Sequence, residues 1–304
     1  MGLFSLAHQP ELEPRDNALV LRIWSSLATL LSVFWIMRLW GSAAALLFGW
    51  SPVVFLSAAN GGHLEPYLVL CLLALVSLHR WRSWVQVWAM AGILGAVTLI
   101  KVPFAGLAAP IVVPKIRSLK RSNAALFILG PLFVVSLGYG LVWGDTHPFS
   151  GLMAESTKTM RSILHLVRHT LMGIFKEDWI LVLRWVSLLG VGFWALFRLR
   201  RVFDEESALR EACLIWLLGT TLVFGVFHPW HVLPVWALVL GLSRRDVVFK
   251  AWLYLAAAAP LFVYGGWVLW GVDSFSPTHS GLIGLFLFAP PLYLLKKEHG
   301  SSQA

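Results

Sequence analysis

Long apolar runs separated by short polar turns constrain this chain more than any other feature of its sequence. About ten or eleven stretches approach the roughly 20 apolar residues that a helix needs to cross a bilayer. Apolar residues make up 58% of the 304 residues and charged residues only 13%. A soluble domain is about a quarter charged. The sequence therefore predicts an all-α fold, a polytopic bundle of transmembrane helices.

The apolar runs also set the predicted domain organisation. The expected spans are 19–37, 42–59, 66–79, 84–100, 102–114, 124–144, 179–197, 212–227, 231–243, 247–270 and 282–295. Four of them (66–79, 102–114, 231–243 and 282–295) are short, so we expect some to be re-entrant or broken. One membrane domain, 19–295, is thus expected between an external N-terminal segment, 1–18, and a cytoplasmic tail, 296–304.

Basic residues occur mainly in alternate turns, which predicts the orientation of the bundle. The clusters are Arg80 and Arg82, Lys115 to Arg121, Arg198 to Arg201, Arg244 and Arg245, and Lys296 and Lys297. Because cytoplasmic loops are enriched in Lys and Arg, we place these turns in the cytoplasm of a cell-membrane protein. The net charge of +9 then reflects topology. A nucleic-acid partner, which needs a basic face on a soluble surface, is not expected.

Histidines and carboxylates collect in the turns that this orientation leaves outside. Eight of the ten histidines fall there: His8, His63, His147, His165, His169, His228, His231 and His279. The topology follows from Lys and Arg alone, so this sorting is an independent observation. We therefore predict that the functional face is non-cytoplasmic.

The longest external loop, 145–178, has the periodicity of a helix. Apolar residues recur at spacings of three and four (Met160, Ile163, Leu164, Val167, Leu171 and Ile174), beside a basic stripe that includes Arg168. This pattern is typical of a helix lying in the membrane interface with its cations near lipid phosphates. A helix that only covers the bundle is the alternative. Arg168 is a candidate phosphate contact.

Two external turns carry candidate chemistry. The turn from Asn60 through His63 and Glu65 places an imidazole and a carboxylate together, where Glu65 could accept a proton and His63 could donate to a phosphate. The turn 227–231 contains His228, Trp230 and His231, which could bind phosphate or sugar. The alternatives are a hairpin with polar caps and an interfacial aromatic belt. Two histidines without a third ligand do not predict a metal site, although a divalent cation is left open as a cofactor.

Three stretches in the first third of the chain follow a familiar order: Trp50-Ser51-Pro52, Gly62-His63-Leu64-Glu65, and Gly95 through Lys101 to Pro103. This order resembles the GT-C superfamily of membrane glycosyltransferases, especially the bacterial polyprenyl-phosphate-mannose-dependent mannosyltransferases. Their pattern is a W-N-P stretch, an N-G-H-N-D-like turn and a G-x-x-x-G-x-x-x-x-x-K-x-x-P-like stretch. Pro229-Trp230-His231 also resembles a P-W-Y-like stretch of that family. The resemblance is strongest over residues 20–115.

The resemblance implies a function and a set of roles. A sugar would be transferred with inversion from a lipid-linked donor to a glycan or lipid acceptor outside the cell. Glu65 stands at the family's Asp and would take the acceptor proton, with His63 beside it. Lys101 would hold the donor phosphate, although a lysine reaching the headgroups is the alternative. Asn60 and the histidines and tryptophan of 228–231 would complete the donor site.

The chain departs from this family at its N-terminus. Family members place a catalytic acid in a long first external loop that follows an initial helix, and this chain starts where that loop would end. Glu13 and Asp16 are candidates for its remnant. An upstream start, a partner subunit that supplies the missing part, or a truncated non-catalytic relative would account for the departure equally well. A transporter or flippase for a lipid-linked or anionic solute is the alternative from a different functional class.

Overall fold

The computed structural model describes residues 14–60, 63–79, 84–119, 124–142, 177–223, 227–270 and 277–301. These ranges are helical and contain no β-strand, so the predicted all-α class is confirmed for them. The helices are α1 (Pro14–Trp40), α2 (Ser42–Gly49), α3 (Pro52–Asn60), α4 (Glu65–His79), α5 (Trp84–Ile100), α6 (Ala105–Ser118), α7 (Leu126–Val142), α8 (Glu177–Leu199), α9 (Glu205–Leu218), α10 (Leu233–Val239), α11 (Val247–Trp270) and α12 (Pro277–Ser301). Short 3-10 helices cover Val102–Phe104 and Pro229–Val232.

Two of the described helices are long and apolar enough to cross a membrane. They contain the segments Ala18–Trp40 in α1 and Val247–Gly266 in α11. Five further apolar segments are shorter: Glu65–His79, Val85–Ile100, Leu129–Gly138, Trp185–Leu199 and Pro229–Val239. Length and composition alone thus identify two candidate spans among the described residues.

The predicted span 42–59 is two helices rather than one. Helix α2 ends at Gly49 and α3 begins at Pro52. A proline lacks the N–H that a continuous helix requires but is well suited to a first turn, so Pro52 ends one helix and begins the next. A proline inside a predicted span favours a kink, and at Pro52 the structure has a complete break between two helices.

Other predicted boundaries also differ from the structure. The segment 1–18 overlaps the first helix, which begins at Pro14, and the segment 296–304 overlaps α12, which continues to Ser301. The span 212–227 is divided, because α9 ends at Leu218 and a π-helical turn covers Gly219–Val223. The interfacial helix predicted for 145–178 falls almost wholly within 143–176, outside the described residues.

The first helices run back along one another and bring one end of α1 to the turn before α4. Gly41, which joins α1 to α2, has φ of 88°, a left-handed conformation that glycine adopts without strain. The α2–α3 pair then returns along α1. At the far end, the Ser25 hydroxyl of α1 donates to the His63 carbonyl at 3.0 Å. The turn at His63 therefore lies at the level of the first half of α1.

The opposite end of the bundle is tied together by arginines. Arg198 makes a two-pronged ion pair with Glu211 at 2.6 and 2.5 Å, and both residues are buried. Arg210 bonds Asp246 at 3.0 Å and Glu298 at 3.1 Å, which connects α9 to the start of α11 and to α12. These contacts bring together turns that lie far apart in sequence. The sequence predicts that the same turns are cytoplasmic.

Helices α5 and α7 approach each other through glycines. A Cβ at Gly95 would lie 2.7 Å from the Val134 Cβ, and one at Gly130 would lie 2.9 Å from the Ala91 Cβ. Small residues let helix backbones come this close, which is the usual way that helices associate in an apolar solvent. The contact joins α5, whose end carries Lys101, to a second long helix.

Gly95→Ala is expected to destabilise the fold by about 1–3 kcal/mol, because a methyl group there overpacks the α5–α7 contact. Gly92 lies on the same helix with nothing within 4 Å of a Cβ, so Gly92→Ala is the matched control. Thermal unfolding of the two variants in detergent measures the difference. Equal midpoints for both variants would contradict this packing.

Candidate functional site

A buried carboxylate and a half-exposed ammonium form the centre of the site. The Lys101 Nζ donates to the Glu65 Oε1 at 2.6 Å, and the side chains are 37% and 2% exposed, respectively. Glu65 is the first residue of α4, and Lys101 follows the last residue of α5. Helix N-termini favour negative charge and C-termini favour positive charge, so each partner also interacts favourably with its own helix end.

His231 is the second neighbour of the Lys101 ammonium. Its Nε2 is 3.4 Å from the Lys101 Nζ, while its Nδ1 accepts from the His228 backbone N–H at 3.4 Å. A 3-10 helix, Pro229–Val232, folds the chain so that these two ring nitrogens face different partners. The Lys101 ammonium therefore contacts both a carboxylate and an imidazole.

Two imidazoles stack on one indole and join the turn at His63 to the turn at 227–231. The rings of His63 and Trp230 have centroids 4.2 Å apart at an interplanar angle of 22°. His228 stacks on the same indole at 4.3 Å and 8°. Aromatic stacking of this kind contributes about 0.5–1.5 kcal/mol per pair beyond the burial of area. The stack fixes the turn at His63 against the turn at 227–231.

The surroundings of His63 favour its neutral form. Burial lowers the pKa of His63 below its usual value, the Glu65 carboxylate raises it, and the Lys101 ammonium lowers it. Burial is the largest of the three effects. A neutral imidazole can both donate and accept a hydrogen bond, so His63 is suited to hold a polar ligand in one orientation.

The structure brings together six of the residues singled out in the sequence: His63, Glu65, Lys101, His228, Trp230 and His231. They come from three turns, and Lys101 and His231, which lie beside each other, are 130 residues apart in sequence.

Four other predicted residues are not placed in the site by the structure. Asn60 ends α3 and Asp16 lies in α1, but their side chains are outside the described set. Glu13 and Arg168 are themselves outside the described residues. Trp230 stacks with the rings of His63 and His228, and its part in a donor site stays a prediction. Within the described residues, no group of three His, Cys, Asp or Glu side chains is arranged to hold a metal ion.

Ser25 belongs to the site, and the sequence reasoning missed it. Its hydroxyl bonds the His63 carbonyl, and it is 1% exposed. A signal existed: Ser25, Thr29 and Ser32 recur at helical spacing within an otherwise apolar run, and all three are buried. Thr29 and Ser32 bond carbonyls of their own helix, which leaves Ser25 as the member of this stripe that reaches another turn.

Comparisons with protein-family models, with curated proteins and with solved structures give no match to this chain.

The lowered pKa of His63 predicts a dependence of stability on pH. In the unfolded chain His63 is protonated as the pH falls through about 6.5, whereas the folded state holds the ring neutral to a lower pH. The unfolded state then binds more protons, so stability is expected to fall as the pH drops below about 6.5. His63→Gln should reduce the loss of thermal midpoint between pH 7.5 and 5.5. An unchanged pH profile in His63→Gln would contradict this.

Proposed function

We propose that this protein is a multi-pass membrane glycosyltransferase that uses a polyprenyl-phosphate sugar, similar to the mannosyltransferases of the GT-C superfamily. The observation that carries the proposal is the convergence of Glu65, Lys101 and His231 at one end of the bundle. A carboxylate that can take a proton and cations that can hold a phosphate are the groups that this transfer requires.

The sides of the helices support a membrane setting for the whole bundle. Helix α8 exposes large apolar side chains at helical spacing: Trp185 (54%), Val186 (60%), Leu189 (69%), Phe193 (77%) and Leu196 (66%). Helices α1, α7 and α11 expose similar residues, among them Leu30, Phe133 and Leu261. Monomeric soluble proteins rarely expose contiguous apolar surface on this scale, whereas lipid chains cover it without cost.

The two ends of the bundle differ in chemistry, which supports the proposed orientation. One end contains Arg117, Arg198 and Arg210, and the other contains Lys101 with the histidines. By the rule that basic turns remain in the cytoplasm, the arginine end is cytoplasmic and the Glu65–Lys101 end faces the opposite compartment. A donor presented in the outer leaflet would meet the site there.

In the proposed reaction, the acceptor hydroxyl oxygen attacks the anomeric carbon of the donor sugar and forms the new glycosidic bond. The bond between that carbon and the phosphate oxygen breaks, and its electron pair leaves with the polyprenyl phosphate. The proton of the acceptor hydroxyl goes to the Glu65 carboxylate. Lys101 and His231 stabilise the charge that develops on the leaving phosphate. His63 lies beside this path and holds the acceptor or sugar through its ring nitrogen.

A transporter is supported less well by the same structure. Coupled transporters place ionisable groups and their ligands near the middle of the bilayer. Among the described residues, the buried charged side chains are Glu65, Arg198 and Glu211. Glu65 lies at the site end of the bundle, and Arg198 and Glu211 lie at the arginine end. A reaction at one membrane surface accounts for this distribution of charged residues better than transport of a solute through the middle of the bilayer.

The transferase proposal is tested by reconstituting the protein with a radiolabelled polyprenyl-phosphate sugar and a membrane acceptor fraction. Glu65→Gln is expected to lower the transfer rate by at least about 100-fold, because it removes the proton acceptor. Lys101→Ala should also lower it, because the leaving phosphate loses its charge partner. Glu206→Gln and Lys250→Ala, which replace exposed residues near the arginine end, are the matched controls. Full activity in both site variants would exclude this site.

The orientation is tested by labelling cysteines in intact cells. In a variant lacking Cys71 and Cys213, a cysteine at position 63 should react with a membrane-impermeant maleimide added outside. A cysteine at 245, an exposed position near Asp246, should react only after the membrane is opened. The reverse pattern would place the site in the cytoplasm and would reject an outer-leaflet donor.

A further inference from the structure

The arrangement around Lys101 contains two hydrogen-bond donors that face each other. Because the His228 backbone N–H points at the His231 Nδ1, at 3.4 Å, we assign the single proton of a neutral His231 ring to Nε2. That Nε2–H is directed at the Lys101 ammonium, 3.4 Å away, which can only donate as well. Two donors at this distance do not bond each other, and an acceptor placed beside both would satisfy them together.

Glu65 supplies an acceptor for only one of these donors. Its carboxylate bonds Lys101 at 2.6 Å from the buried side, where it is 2% exposed. The Lys101 side chain is 37% exposed, so a ligand can reach the ammonium from the open side. The Glu65 carboxylate neutralises the positive charge of Lys101 that an anionic ligand would bind.

We propose that Lys101 and His231 form an oxyanion site for a phosphate ester, and that Glu65 competes with the ligand for Lys101. A phosphate oxygen accepts from the Lys101 ammonium and the His231 Nε2–H, and Lys101 releases Glu65 as it turns to the phosphate. This partner exchange deepens the proposed function and rests on it for the identity of the donor. Phosphate binding itself requires no catalysis.

The exchange would order the steps of the reaction. Before the phosphate arrives, the Lys101 ammonium occupies the Glu65 carboxylate at 2.6 Å. Once Lys101 holds the phosphate, the carboxylate is released beside the donor, still at the N-terminus of α4, whose N–H groups favour its charge. The donor therefore binds first, and its binding makes the base available for the acceptor.

The test measures phosphate binding to the full-length protein in nanodiscs, with inorganic phosphate as the first probe and polyprenyl phosphate in the same bilayer as the second. Glu65→Gln is expected to bind phosphate about five- to tenfold more tightly, because it removes the competitor. Lys101→Met is expected to bind at least about tenfold more weakly. His231→Leu should also weaken binding, and His231→Gln, which restores an N–H donor, should recover part of it.

A double variant distinguishes exchange at Lys101 from a general change of charge. In the Lys101→Met background, Glu65→Gln should give no gain in phosphate affinity, because Glu65 affects phosphate binding only through its contact with the Lys101 ammonium. Glu206→Gln, a carboxylate removed far from the site, should leave affinity unchanged. Glu65→Asp, which keeps the charge, should bind phosphate no more tightly than the unaltered protein. Thermal midpoints confirm that each variant is folded.

The results separate this inference from the proposed function. If Glu65→Gln binds neither probe more tightly, or gains equally without Lys101, the exchange is rejected. If the gain appears but no sugar is transferred, the anion site is real and the glycosyltransferase proposal fails. A gain with inorganic phosphate shows that the phosphate group is sufficient, whereas a gain with polyprenyl phosphate alone assigns the ligand to the lipid surface.

Discussion

Helices whose sides are apolar both toward the core and toward the exterior leave few places for polar side chains. Buried positions on α4, such as Leu72 and Leu73, and exposed positions on α8, such as Leu189 and Phe193, are equally hydrophobic. A charge on either kind of surface would lose its hydration without gaining a partner. The charged groups that make ion pairs in the described residues are therefore gathered toward the two ends of the bundle, where turns from distant parts of the chain meet. The site and the arginine network are two consequences of this one constraint.

At the site end of the bundle, the ion pair between Glu65 and Lys101 fixes where the charged groups lie. Burying a carboxylate is costly unless a charge partner and hydrogen bonds compensate it, and Glu65 obtains both from Lys101 and from its position at the start of α4. The same pair fixes the end of α5 against the beginning of α4. The stack of His63 on Trp230 then adds the 227–231 turn. Three turns are thus held by one ion pair and one aromatic stack, and neither lies on the apolar sides of the bundle.

The alternation of basic and non-basic turns predicts only which turns share one side of the bundle, and the contacts within that side come from the structure. Counting helices from the Lys and Arg clusters put His63, Lys101 and His231 on one side, and the structure brings them into contact. Details that depend on local backbone geometry were not predictable in this way. The break at Pro52 and the π-helical turn Gly219–Val223 each shift a helix end by several residues, although the pattern of apolar residues continues through them. The role of Trp230 was also missed, because a tryptophan at a span end has the same sequence signature whether it faces lipid or holds two imidazoles.

A carboxylate that occupies its own anion site has a physical advantage at a membrane surface. Phospholipid headgroups present phosphate at high local concentration, and an uncompensated Lys101 beside His231 would bind them without discrimination. With Glu65 as competitor, a bare phosphate gains little by displacing it, since one charge contact replaces another. A donor that adds contacts through its sugar and its lipid chain can supply the difference. In the proposed mechanism, selectivity comes from this competition between Glu65 and the ligand for Lys101, and Glu65 is released only when the ligand displaces it.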